Sequence, residues 1–111
     1  MRLNEYMSLA LRTAKHQDDL DMLIHAALGL SGEAGEFADA VKRYVVYENP
    51  LRHENAVEEL GDLLWYVALA AHALNVTLDD VADYNIAKLK LRFPQQYSDA
   101  FASGRADKVT S

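Results

Sequence analysis

The sequence contains no cysteine and only two prolines, Pro50 and Pro94, in 111 residues. The absence of thiols excludes disulfides, thiolate metal sites, iron–sulfur ligation and a cysteine nucleophile. No apolar run approaches the roughly 20 residues that a membrane span requires, and the N-terminus lacks the apolar core of a signal peptide. We therefore expect a soluble, cytoplasmic protein with no membrane partner.

Basic residues are also scarce, with 11 Lys and Arg against 17 Asp and Glu and a formal net charge of −6. Polymeric nucleic acid binds basic surfaces, so we do not expect it as a partner. The length fits one domain, and 50% hydrophobic with 25% charged residues is typical of a globular chain. The acidic surplus is the compositional feature that a function has to explain.

Apolar residues recur at every third or fourth position, and no stretch alternates as a strand does, which predicts an all-α fold. We expect a four-helix bundle with helices at about 3–15, 20–47, 51–74 and 78–92. Residues 1–94 form the predicted domain, and 95–111 a weakly structured tail that either contains a helical turn near 97–101 or is disordered. Asp18 or Asp19 is expected to cap the second helix, and Asn75 to end the third in a left-handed conformation. Three glycines within the second helix indicate either a close helix–helix approach or a local break: Gly29, Gly32 and Gly35.

The spacing also predicts which helix faces are buried. On the second helix the predicted buried face consists of Leu23, Ala27, Leu30, Ala34, Phe37, Val41 and Val45. On the third helix it consists of Val57, Leu60, Leu64, Val67, Ala71 and Leu74. These long apolar faces exceed what a small chain can cover, and Ala-rich faces suit close contact. We therefore expect a homo-oligomer. In one possible arrangement, residues from two subunits together form each functional site.

Two pairs of acidic residues lie beside these apolar faces, Glu33 with Glu36 and Glu59 with Asp62. At 3.6 residues per turn each pair shares one face of its helix, so antiparallel packing would bring all four together. Carboxylates 4 Å apart repel by about 4 kcal/mol per pair at an effective dielectric near 20. Oxygen ligands suit Mg²⁺, with Mn²⁺ as the alternative. The competing interpretation is a solvated acidic face.

Ferritin-like di-iron sites need Glu-x-x-His, and no glutamate here has a histidine three residues later. Three segments then carry a resemblance: GLSGEAGEF from Gly29, EELGDLLWY from Glu58, and NIAKL from Asn85 followed by Arg92-Phe93-Pro94. Together they resemble the MazG-type, all-α nucleoside triphosphate pyrophosphohydrolases, whose mark is Glu-x-x-Glu followed after a spacer by Glu-x-x-Asp. The likeness extends over most of the chain, from about residue 23 to residue 94.

The resemblance implies cleavage of a nucleoside triphosphate between the α- and β-phosphates, giving a monophosphate and diphosphate. It implies Mg²⁺ held by the four acids, Glu33 or Glu36 as the base that activates water, and a homodimer or homotetramer. It also implies that two further residues face the phosphates, Asn85 and Lys88. The role would be cleaning of the nucleotide pool.

Three other residues are candidate substrate contacts, each with a structural alternative. Arg43 lies on the acidic face and either reaches a phosphate or pairs with Asp39 at i,i+4. Tyr66 contacts the base or sugar, or it packs in the core. His25, eight residues before Glu33, contacts the nucleotide or is structural.

Three alternatives to a general (d)NTP pyrophosphohydrolase stay open at this point. The superfamily includes hydrolases specific for dUTP or dCTP, and a phosphoribosyl-ATP pyrophosphohydrolase. The third alternative is a non-enzymatic helical module whose acidic face binds a basic partner.

Overall fold

The computed structural model describes residues 1–47, 50 and 53–93. It contains α1 (Leu3–Leu11), α2 (Asp19–Val46), α3 (His53–Ala73) and α4 (Leu78–Arg92). Helix accounts for 82% of the described residues, and none of them forms a strand. The prediction of an all-α fold with four helices is confirmed. The predicted tail at 95–111, its helical turn at 97–101 and the predicted start of the third helix at residue 51 lie outside the described residues.

Helix α1 is shorter than predicted, ending at Leu11 and not at residue 15. The hydroxyl of Thr13 donates a hydrogen bond to the carbonyl of Ala10 at 2.7 Å, and the indole N–H of Trp65 donates to the same carbonyl at 3.2 Å. The backbone N–H of Thr13 donates to this carbonyl as well, at 3.0 Å, so two side chains and one local backbone bond satisfy it at the end of the helix.

Two other helix ends, the start of α2 and the end of α3, follow the predicted signals. Asp18 caps α2, its carboxylate accepting a hydrogen bond from the N–H of Asp21 at 2.9 Å. Asn75 has φ 60°, and the N–H of Val76 donates to the carbonyl of Ala71 at 2.9 Å. This is a Schellman ending with Asn in the left-handed position, as the sequence indicates.

The chain divides into two compact units, of which the first spans Met1–Leu78 and the second begins at Asp79. Within the first unit α2 packs against α3, and α1 packs against α3. The two buried clusters of this unit are Met7 with Ala68, Ala71 and Leu78, and Met22 with Ala26, Leu69 and Ala73.

The predicted buried faces are largely wrong for the single chain. Val45 on α2 and Leu60 on α3 are examples, with 67% and 50% of their surface exposed. Helix α2 meets α3 with the side that carries Ala26, Gly29 and Glu33, so the larger apolar residues beside it are left uncovered. Most of the predicted faces is exposed: Ala27, Ala34, Val41, Val45, Val57, Leu60, Leu64 and Leu74.

The second unit contains α4 from Asp79 onward. The only buried residue of α4 is Leu78, which belongs to the first unit. Asp79 and Asp80 lie in its first turn and Lys90 and Arg92 in its last, the distribution that complements the helix dipole. The guanidinium of Arg92 lies 5.2 Å from the centre of the Phe93 ring. No described helix combines the length and apolar character needed to cross a bilayer.

Candidate metal centre

Three of the four predicted acidic residues come together between α2 and α3. Glu33 on α2 and Glu59 and Asp62 on α3 each offer one carboxylate oxygen, and these three oxygens lie within 4.8 Å of one another. Glu33 and Glu59 are half-buried, and Asp62 is exposed. The i,i+3 spacing places Glu59 and Asp62 on one face of α3, and antiparallel packing brings Glu33 opposite them.

Glu36, the fourth predicted acid, lies outside this 4.8 Å group and is exposed to solvent. Its negative charge nevertheless contributes to raising the pKa of Glu59. Glu36 follows Glu33 by three residues, so it lies about one helical turn further along α2. It therefore borders the three-oxygen cluster.

The cluster is electrostatically strained without a cation. The pKa of Glu59 is raised, first by a hydrogen bond with Glu33, then by burial, and then by the charges of Glu33, Asp62 and Glu36. A bond between two carboxyl groups requires a proton on one of them. The Oε2 atom of Glu59 is buried and has no hydrogen-bond partner among the described residues. An all-oxygen donor set with an unpartnered buried oxygen fits a hard divalent cation.

Aromatic residues occupy the interface next to the acids. Tyr66 makes edge-on ring contacts with Trp65 at 5.0 Å and with His25 at 5.7 Å between centroids. The indole N–H of Trp65 donates to Thr13 Oγ1 at 2.9 Å as well as to Ala10. Tyr66 and His25, both predicted as substrate contacts, therefore lie together in a packed aromatic group.

The other predicted substrate contacts are Arg43 on α2 and Asn85 and Lys88 on α4. Arg43 Nε donates to Asp39 Oδ2 at 2.8 Å on the exposed surface of α2, which is the i,i+4 pair that the sequence offered as its structural alternative. Asn85 and Lys88 lie three residues apart on α4, in the second unit, where Asn85 is exposed and Lys88 half-buried. Their spacing places them on one face of that helix.

Two residues near the site were missed by the sequence reasoning. The pKa of Tyr6 on α1 is raised by burial and then by the negative charge of Asp62, so the phenol lies within electrostatic range of the cluster. Gln17 Oε1 lies 3.3 Å from Nδ1 of His25. Neither residue belongs to a sequence motif that would have revealed it. An aromatic residue on an amphipathic helix and an amide residue in a turn are common in proteins without any functional role.

An antiparallel helix pair with three converging carboxylates defines an all-α protein with a candidate centre for a hard divalent cation. The sequence matches the model of the MazG nucleotide pyrophosphohydrolase domain over residues 23–97. The chain belongs to this family, and the matched region contains the whole acidic cluster. The earlier resemblance is thereby confirmed.

The chain is also similar to the Gene 37 protein of Mycobacterium phage L5. The two are 39% identical over 79 residues, which is 68% of this chain and 69% of the phage protein. The name of that protein states no activity. No solved structure matches the chain.

Proposed function

We propose that the protein is a Mg²⁺-dependent nucleoside triphosphate pyrophosphohydrolase that converts a (d)NTP and water into a (d)NMP and diphosphate, and so cleans the nucleotide pool. One observation carries the proposal. In a chain of the MazG family, three carboxylate oxygens from two helices lie within 4.8 Å, and Glu59 Oε2 is buried without a hydrogen-bond partner among the described residues.

In this proposal Glu33, Glu59 and Asp62 hold Mg²⁺, or alternatively Mn²⁺, with Glu36 at the edge as a fourth ligand. The ion, when bound, neutralises phosphate charge and lowers the pKa of its water. Glu36 is our first choice for the residue that takes a proton from the attacking water, because it is exposed and stands outside the three-oxygen group. Glu33 is the second choice.

The other proposed contacts with the substrate come from side chains on α2, α3 and α4. Asn85 on α4 supplies a hydrogen-bond donor to the phosphates, and Lys88 supplies a positive charge. Arg43 supplies a further positive charge if its ion pair with Asp39 breaks. Tyr66 and His25 border the nucleoside, since their ring contacts place them in the α2–α3 interface that holds the acids. The functional domain is proposed to comprise residues 1–94.

We also propose that the protein acts as a homodimer or homotetramer. Large apolar residues are exposed in the second half of α2 and the first half of α3, among them Val45, Val57 and Leu60. Burying such surface is favourable by about 25 cal/mol per Å². Sedimentation velocity at micromolar protein tests this part, and a strictly monomeric boundary would contradict it.

The activity test measures diphosphate and monophosphate release from a panel of ribo- and deoxyribonucleoside triphosphates, including dUTP and dCTP, and from phosphoribosyl-ATP. Activity should require Mg²⁺ and be lost with a chelator. Orthophosphate as the first product contradicts the proposal, and turnover of dUTP, dCTP or phosphoribosyl-ATP alone narrows it to a specific hydrolase.

Two variants separate the proposed roles within the cluster. Glu36→Gln should lower kcat by about 10²–10⁴, the contribution of a general base, and should weaken metal binding less than Glu59→Gln does, because Glu36 lies outside the three-oxygen group. Glu59→Gln should weaken metal binding itself. If neither Mg²⁺ nor Mg²⁺ with a non-hydrolysable nucleotide raises the melting temperature, the protein is better described as a non-enzymatic acidic module.

A further inference from the structure

Among the described glycines, Gly29 is the one at which a neighbouring side chain occupies the position that a Cβ atom would take. A Cβ built on Gly29 would overlap ring carbons of Tyr66, whereas Gly32, Gly35 and Gly61 have open space at the same position. Glycine is a poor residue for a helix interior. Helix α2 is nevertheless continuous at Gly29. The ring of Tyr66 occupies the space that a side chain at this position would fill.

The ring of Tyr66 cannot easily move aside. Trp65 contacts it edge-on with an interplanar angle of 86°, and His25 contacts it at 72°. Trp65 is itself held by its two hydrogen bonds to the end of α1. A side chain at position 29 would therefore push α2 away from α3 more readily than it would rotate the ring.

This contact lies next to the acidic cluster on both helices. Gly29 precedes Glu33 by four residues on α2, and Tyr66 follows Asp62 by four on α3, so on each helix the contact lies about one turn from the nearest acid of the cluster. Metal sites tolerate ligand distances within about 0.2 Å of their preferred values. The separation of the two helices at this turn thus controls whether ligands from both can reach one ion.

We propose that Gly29 and Tyr66 form a size-matched pair that sets the separation of α2 and α3 at the acidic cluster, which makes Gly29 a positioning residue for the metal ligands. The inference rests on the proposed metal-binding role of Glu33, Glu59 and Asp62. It assigns to Gly29 the close approach that three glycines in one helix indicate.

The first experiment measures Mn²⁺ binding by electron paramagnetic resonance and Mg²⁺ binding by calorimetry. Gly29→Ala should weaken binding by about 10–100-fold, the range seen when residues supporting metal ligands are changed. Gly35→Ala is the matched control: it adds the same methyl group to the same helix in open space, and affinity should not change. Far-UV circular dichroism checks that both variants are helical.

The second experiment tests the size match by rescue. Tyr66→Leu in the Gly29→Ala background removes the overlapping ring and should restore affinity close to that of the wild type. Tyr66→Phe in the same background keeps the ring and should not restore it. If Gly29→Ala alone does not fold, the double variant with Leu must fold and bind the metal.

The outcomes separate this inference from the proposed function. A Gly29→Ala protein that is folded and binds metal like the wild type overturns the inference, and so does rescue by Phe or no rescue by Leu. A wild type that binds no Mn²⁺ overturns the metal role of the cluster and the inference with it. Metal binding with the predicted pattern but without diphosphate release overturns only the enzymatic proposal.

Discussion

The α2–α3 interface has two ends of opposite character. At one end Met22, Ala26, Leu69 and Ala73 are buried against one another, while at the other Glu33, Glu59 and Asp62 converge. Buried apolar surface stabilises the folded state in any buffer. Converging carboxylates oppose folding until a cation joins them, because like charges repel and burial disfavours ionisation. The apolar end of this helix pair thus stabilises the fold, and the acidic end contains the candidate metal site.

The apolar end should show the largest effect on stability. Leu69 is 1% exposed, so Leu69→Ala should lower the free energy of unfolding by about 2–5 kcal/mol through lost burial and a residual cavity. Leu74→Ala, at a leucine that is 60% exposed, is the control and should cost far less. Urea denaturation followed by circular dichroism measures both, and similar losses would contradict the assignment of the core.

The acidic end should gain stability from metal. Mg²⁺ at 100 times its dissociation constant should raise the free energy of unfolding by about 2.7 kcal/mol, because only the folded state forms the site. Glu59→Gln should abolish this gain. Asp39→Asn, which also removes one negative charge but lies outside the cluster, should keep it. Equal stabilisation of all three proteins would indicate non-specific binding.

The contact of α1 with α3 should have an intermediate effect. Trp65→Phe removes the indole N–H that donates to Ala10 and Thr13. Because the carbonyl of Ala10 keeps its bonds from the hydroxyl and the N–H of Thr13, the loss should be about 0.5–1.5 kcal/mol, the net value of a hydrogen bond. A double-mutant cycle with Thr13→Val should show coupling between the two positions, whereas additive losses would mean that the bond contributes nothing.

Without metal, the acidic end should also make stability depend on pH. The pKa of Glu59 is raised above its ordinary value of 4.5, so between these two values the folded state binds more protons than the unfolded state. Stability from this group therefore rises as the pH is lowered from neutral through the raised pKa. Melting temperatures at several pH values compare wild type with Glu59→Gln, and the difference between them should shrink toward acid pH. A constant difference would contradict the raised pKa.

The smallest effect is expected where α3 ends. Asn75 is left-handed, so Asn75→Gly should be neutral or slightly stabilising, and Asn75→Ala should cost up to about 1 kcal/mol. Thermal denaturation distinguishes the two, and equal melting temperatures would show that the backbone strain at this position is negligible.

Local signals made much of the fold predictable. Asp18 and Asn75 set their helix ends by bonds to residues close in sequence, and α4 occupies the predicted range. Helix α1 was predicted too long because its apolar periodicity continues past Leu11, whereas the indole of Trp65, more than 50 residues away, donates to Ala10 and Thr13 beside the actual end. A bond at that separation leaves no mark in local periodicity.

The acids and the core were predictable to different degrees. The spacing of Glu33, Glu59 and Asp62 specified their faces, and antiparallel packing then brought them together. The buried face of α2 was placed on the larger apolar residues, whereas Ala26 and Gly29 actually meet α3, because small residues allow the closer approach. Periodicity marks an apolar arc but does not tell which part of it a neighbouring helix will use.

The single tryptophan has a further consequence for how this molecule can be observed. Trp65 follows Asp62 by three residues, its ring touches Tyr66 and His25, and its N–H reaches the end of α1. Its fluorescence therefore originates from one place, the junction of all three helices of the first unit beside the carboxylates. The fluorescence of Trp65 can therefore report the proposed binding of a cation or a nucleotide, and the detachment of α1, without an added label.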